Sequence, residues 1–121
     1  MDQKKTMSVH SRIRSFGYAF NGISQVFKQE PNAKLHLLAT LLAITAGIIR
    51  HINLTQWVAI IFAIALVWIT EAFNTCLEQL CDFCCNKEFH PSIKIIKDIS
   101  AGAVLIAALT SVVIGIIVFF L

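Results

Sequence analysis

The sequence predicts an all-α membrane protein, an N-terminal amphipathic surface helix followed by three transmembrane helices, on three observations. Of 121 residues, 57% are hydrophobic and 14% charged, more apolar and less charged than a usual soluble domain. Three apolar stretches approach or exceed the ~20 residues that a helix needs, at ~1.5 Å per residue, to cross ~30 Å of hydrocarbon. Ahead of them, apolar residues recur every three or four positions among polar ones. All four helices fit one domain, 1–121.

Residues 1–31 read as a cytoplasmic tail and the surface helix. Ile13, Phe16, Phe20, Ile23 and Phe27 share one face, while Arg12, Arg14, Asn21, Gln25 and Lys28 take the others, the pattern of a helix lying on the inner leaflet. A helix packed on the loop after the second span would show the same pattern. Gly17 and Gly22 weaken it as a free helix. The first span is expected over 32–52, around the uncharged run Leu35 to Ile49. The second is expected over 55–83, with Thr55 as its N-cap and a cytoplasmic extension at its far end. A cytoplasmic loop, 84–98, leads to the third span, 99–121, which holds no charged residue.

Lysines and arginines near spans stay on the cytoplasmic side. Lys4, Lys5, Arg12, Arg14, Lys28 and Lys34 precede the first span, Arg50 alone separates the first two, and Lys87, Lys94 and Lys97 fill the second loop. The N-terminus and second loop are therefore expected in the cytoplasm and the C-terminus outside. No cleavable signal peptide is expected, because the first apolar run starts late and has no small-residue cleavage site.

Glu71, Asn74 and Glu78 interrupt the second span on one side. At ~100° per residue the arc holding them with Thr75 and Asp82 is only about 100° wide. Ionisable groups in a membrane helix are expensive and mark function by default. Counted from Trp57 at ~1.5 Å per residue, Glu71 lies ~21 Å along and Glu78 ~31 Å, so the stripe crosses the inner membrane boundary. Glu30, Lys97 and Asp98 flank the other spans at that level. Carboxylates gathered so closely need cations. Lysines supply part of that charge, and Mg²⁺, commonly held by one or two carboxylates plus phosphate oxygens, suits the rest. Packing of helices is the plainer reading of Glu71 and Asn74, and solvated helix end that of Glu78 and Asp82. Lys97 and Asp98 could likewise do no more than cap the third span.

The segment E-A-F-N-T-C-L-E-Q-L-C-D (Glu71 to Asp82), followed by K-D-I-S-A-G-A-V-L (Lys97 to Leu105), resembles the signature of the prokaryotic diacylglycerol kinase and undecaprenol kinase family. R-S-F-G-Y-A-F-N-G-I (Arg14 to Ile23) is similar to that family's surface helix, and E-P-N-A-K-L-H (Glu30 to His36) to its lead into the first span. The resemblance runs through almost the whole chain in order and spacing. It implies a small integral-membrane lipid kinase of the bacterial inner membrane, a homotrimer with active sites between subunits.

Carried over by the resemblance, Glu71 would be the general base acting on the lipid hydroxyl, supported by Asn74. Glu30 and Glu78 would hold Mg²⁺ on ATP. Lys97 and Asp98 would contact the nucleotide, as would Tyr18 and the loop segment Glu88-Phe89-His90, while Arg14, Glu71 and Ala101 would border the lipid. Ser11 departs from a frequent arginine, and Phe89 stands where tyrosine can occur. The A-G-A-V-L run and the N-x-K-x-H spacing look closer to undecaprenol kinases than to diacylglycerol kinases.

Phosphoryl transfer needs positioning and charge neutralisation more than covalent chemistry, which these residue types can supply. No G-x-x-x-x-G-K-[ST] loop exists, so a conventional P-loop is excluded. The reading is ATP-dependent phosphorylation of a membrane lipid alcohol, undecaprenol or diacylglycerol, at the cytoplasmic interface. A non-catalytic oligomer, an ion-binding or assembly subunit, is the alternative. Two patterns take structural readings. Ala103, Ala107, Ser111 and Gly115 form a small-xxx-small stripe for close helix approach. Cys76, Cys81, Cys84 and Cys85 match no zinc spacing and read as small apolar fillers.

Overall fold

A computed structural model describes residues 8–121; Asp2, Lys4 and Lys5 lie outside them. Four helices follow in order: α1 (Val9–Gln29), α2 (Ala33–Ile49), α3 (Leu54–Cys84) and α4 (Pro91–Phe120). Helices α3 and α4 are each long and apolar enough to cross a membrane. Helix α2 has 17 residues and meets α1 at a bend of 108° across the Glu30–Asn32 link. At ~1.5 Å per residue, α2 alone runs about 25 Å, just under the ~30 Å core.

Each helix boundary has a local cause. Ser8 caps α1 in a box with Ser11, each side chain bonding the other's backbone N–H, so Ser11 has a structural role. Helix α2 stops at Ile49, short of the expected 52, because the N–H of Ile52 bonds Gly47 and that of His51 bonds Ile48. This is a Schellman closure, and His51 adopts the left-handed conformation, φ 49°, that glycine usually fills. Asn53, not Thr55, caps α3, in a box with Gln56. The far end of α3 closes like α2, with Asn86 at φ 48° and the Lys87 N–H on Asp82.

The largest departure from expectation is the start of α4. It begins at Pro91 instead of residue 99, so the 84–98 segment is a short turn followed by two helical turns, and Lys97 and Asp98 do not cap the helix. Proline at the first helical position lacks only an N–H that has no partner there, and the His90 ring accepts the Ser92 N–H.

The core lies chiefly between α3 and α4, where Ile60, Ala63 and Ala107 are buried. Ala107 and Ser111 of the small-residue stripe face α3, and the Ser111 hydroxyl donates to the Ala63 carbonyl at 3.0 Å. At the opposite end from the acidic stripe, Arg50 donates to the Phe119 carbonyl at 3.0 Å, satisfying an end group of α4. Gly47 is buried against Trp57; a Cβ there would come 2.7 Å from the indole. Large apolar side chains such as Leu38, Leu42, Phe62, Ile69 and Ile106 stay exposed, as lipid-facing surfaces require.

Candidate functional site

The polar stripe of α3 lies where α1, α2 and α3 meet. Glu71 is 2% exposed and is the largest fully buried side chain among the described residues. A carboxyl group withdrawn this far from water demands a partner. That partner is His36, one turn into α2, whose Nε2 lies 2.6 Å from Glu71 Oε1.

The His36 ring is itself held in place. It meets Trp68 edge-on with ring centroids 6.0 Å apart, and Trp68 packs at a tilt of 38° against Phe27 of α1, centroids 4.9 Å apart. Trp68 Nε1 donates to the Thr40 hydroxyl at 3.0 Å, which in turn donates to the His36 carbonyl at 2.8 Å. Three helices thus fix one imidazole.

One turn further along α3, the Thr75 hydroxyl donates to Glu30 Oε2 at 2.9 Å, and the Asn32 N–H donates to Glu30 Oε1 at 3.2 Å. These bonds hold Glu30, buried at the α1–α2 bend, against the turn that precedes Glu78. Asn74 Nδ2 donates weakly to Glu78 Oε1 at 3.4 Å. Asn74 Oδ1 is buried with no hydrogen-bond partner. Glu78 and the orphaned Asn74 carbonyl offer oxygen donors, the kind that suits a hard cation such as Mg²⁺. No group of three or more His, Cys, Asp or Glu side chains converges among the described residues, so any such ion would take further ligands from elsewhere.

Lys97 donates to Asp82 Oδ1 at 2.6 Å and also feels the charge of Glu78. Lys94 pairs with Asp98 at 2.6 Å on the solvent side. A cavity of about 310 Å³ between the end of α3 and the start of α4 gathers Glu88, Phe89, His90, Lys94, Lys97 and Asp98. Four residues expected near the nucleotide, Glu88, His90, Lys97 and Asp98, therefore share one surface. Tyr18 is exposed on α1, and Arg14 bonds His10 within the same helix at 3.1 Å, so neither reaches that surface within the chain. Ala101 is exposed on α4, one turn past Lys97.

Sequence reasoning singled out the acids but missed His36 and Thr75 as their partners, and Thr40 and Trp68 as supports of His36. A titratable residue at the first turn of an apolar helix was a usable signal for His36. Thr75 stood on the polar stripe, but nothing local paired it with Glu30, 45 residues away.

Comparison with known proteins bears on this arrangement. The family model described as prokaryotic diacylglycerol kinase matches residues 17–119. A diacylglycerol kinase of Synechocystis is 36% identical over 101 residues, 84% of this chain and 58% of the relative, so this chain spans little more than half of that protein's length. An undecaprenol kinase of Bacillus subtilis is 31% identical over 120 residues, 98% of this chain and 97% of the relative. A diacylglycerol kinase of Escherichia coli is 28% identical over 84% of this chain and 82% of the relative. No solved structure matches.

Proposed function

Because this chain belongs to the prokaryotic diacylglycerol kinase family, we propose that it transfers the γ-phosphate of MgATP to the hydroxyl of a membrane lipid alcohol, undecaprenol or diacylglycerol. The observation that carries the reading is Glu71: a fully buried carboxyl group in an apolar helix, oriented by a bond of 2.6 Å. Ion-pair decoration does not account for a group so deeply desolvated.

Glu71 is the general base. As the lipid oxygen attacks the γ-phosphorus and the bond to ADP breaks, the hydroxyl proton passes to its carboxylate. Asn74, one turn on, would support the base, and its buried carbonyl has no hydrogen-bond partner within the described residues. Glu30 and Glu78 would hold Mg²⁺, which when bound neutralises charge on the phosphates. Lys97 binds a phosphate oxygen, and the cavity wall formed by Glu88, Phe89, His90 and Asp98 borders the nucleotide.

The match with the undecaprenol kinase, over 98% of this chain and 97% of the relative, supports the reading. Charge placement supports the topology: a cytoplasmic N-terminus and second loop, three spans in the bacterial inner membrane, and α1 on the inner leaflet. A lipid hydroxyl then waits at the interface while its tails remain in the bilayer and ATP arrives from the cytosol. Tyr18 and Arg14, remote from the acids within one chain, reach a site in a homotrimer whose subunits share active sites; Arg14 and Ala101 then border the lipid.

Labelled ATP and lipid in mixed micelles test the activity. Glu71→Gln is expected to lower turnover about 10²- to 10⁴-fold, the usual worth of a general base. Retained turnover in that variant removes the base assignment. MgATP at ~100 times its Kd should also stabilise the protein by about 2.7 kcal/mol, and no response to MgATP would favour a non-catalytic oligomer.

A further inference from the structure

We propose that His36 is a positioning residue for the reaction: its Nε2–H holds one oxygen of Glu71, leaving the other to take the hydroxyl proton. The inference rests on Glu71 being the base. Its observations are independent of the family resemblance, which assigned His36 no role.

The pair lies 2.6 Å apart, Nε2 to Oε1, across 35 residues of sequence. One proton lies between them. When Glu71 is ionised, as a base must be, that proton sits on Nε2 and the imidazole donates. No protein group among the described residues bonds the other oxygen, Oε2, so it is the one left to meet a hydroxyl. Without that donor, the buried Glu71 carboxylate would lose the one hydrogen bond it makes among the described residues, and would be both mobile about its terminal torsion and poorly stabilised.

The support behind His36 is what a positioning role requires. Trp68 bounds the ring on one side, and Thr40 ties Trp68 to the His36 backbone. The side chain is only 17% exposed, so its orientation is set by packing and not by solvent. His36 also lines an apolar cavity of about 320 Å³ with Leu35, Thr40, Val67 and Ser111. A hydrogen bond in such surroundings directs charge more strongly than one in water. A base held by a third group repeats the logic of oriented nucleophile–base pairs in other enzymes.

The test compares His36→Leu, His36→Gln and Glu71→Gln in the full-length protein. Glutamine places an N–H near the reach of Nε2; leucine keeps bulk but donates nothing. With saturating MgATP, His36→Leu is expected to lower kcat about 10- to 100-fold with KM for MgATP unchanged, the signature of an interaction used in the chemical step. His36→Gln should recover at least about tenfold of that loss. Should the leucine variant fail to fold, His36→Asn replaces it, polar but too short to reach Glu71. A non-donating variant with wild-type kcat overturns the proposal, as does a glutamine variant no faster than the non-donating one. Glu71→Gln separates the two readings: if it is inactive while His36→Leu is fully active, only the positioning role falls; if it retains turnover, the base assignment falls first.

Discussion

Thr75 donates a hydrogen bond of 2.9 Å to Glu30, joining the middle of α3 to the bend between α1 and α2. Both residues are buried. The bond fixes a carboxylate that sequence alone leaves on a link of three residues, and so decides which way one proposed metal ligand faces.

Thr75→Val removes that donor while keeping the shape of the side chain. It is expected to destabilise the protein by about 1–2 kcal/mol, because a buried carboxylate oxygen loses its partner. The Mg²⁺ concentration for half-maximal activity should rise as Glu30 loses its orientation. A thermal scan in detergent and a metal titration check the two effects, and an unchanged titration curve would separate Glu30 from the metal.

Lys97 and Asp82 form a pair in which each side chain is more than a third exposed, at 35% and 39%. Such exposed pairs add little to stability. Lys97→Met should therefore barely move the thermal midpoint yet raise KM for MgATP about tenfold, the loss of one phosphate contact. Initial rates against MgATP concentration decide it. An unaltered KM assigns Lys97 to the helix pairing alone.

Gly47→Ala is expected to destabilise the fold by about 1–3 kcal/mol, because the added methyl would meet the rigid Trp57 ring and force α2 from α3. The position lies at the end of α2 far from the acids, so KM for MgATP should stay as in the native protein. Thermal unfolding and kinetics in the same detergent measure both.

Undecaprenol and diacylglycerol presented in parallel micelles should both be phosphorylated, with the higher kcat/KM for undecaprenol. That expectation follows the N-x-K-x-H spacing and the near-complete match, 97% of its length, with the undecaprenol kinase. A higher value for diacylglycerol reverses the substrate order without touching the proposed chemistry.

The spans were legible because an uncharged run and a polar stripe on a helix are local signals. Glu71, Asn74 and Glu78 stand out in Trp57 to Phe83 whatever surrounds them, since intervals of three and four residues place side chains on one face of any helix. Helix ends were less legible. Residues 91–98 read as loop for their charge, yet Pro91 and the His90 cap begin α4 there. His51 and Asn86 close helices where sequence rules look for glycine.

Composition, apolar periodicity and the E-A-F-N-T-C-L-E-Q-L-C-D segment determine by themselves an all-α chain with membrane-spanning helices, its acidic face and its family. Which group answers each buried acid was decided only by the tertiary structure. His36 meets Glu71 and Thr75 meets Glu30 because the bend of 108° turns α2 back along α3. The break itself is local, since Pro31 holds Glu30 extended, but which side chains then pack across the three helices, Phe27, Trp68 and His36 among them, is not.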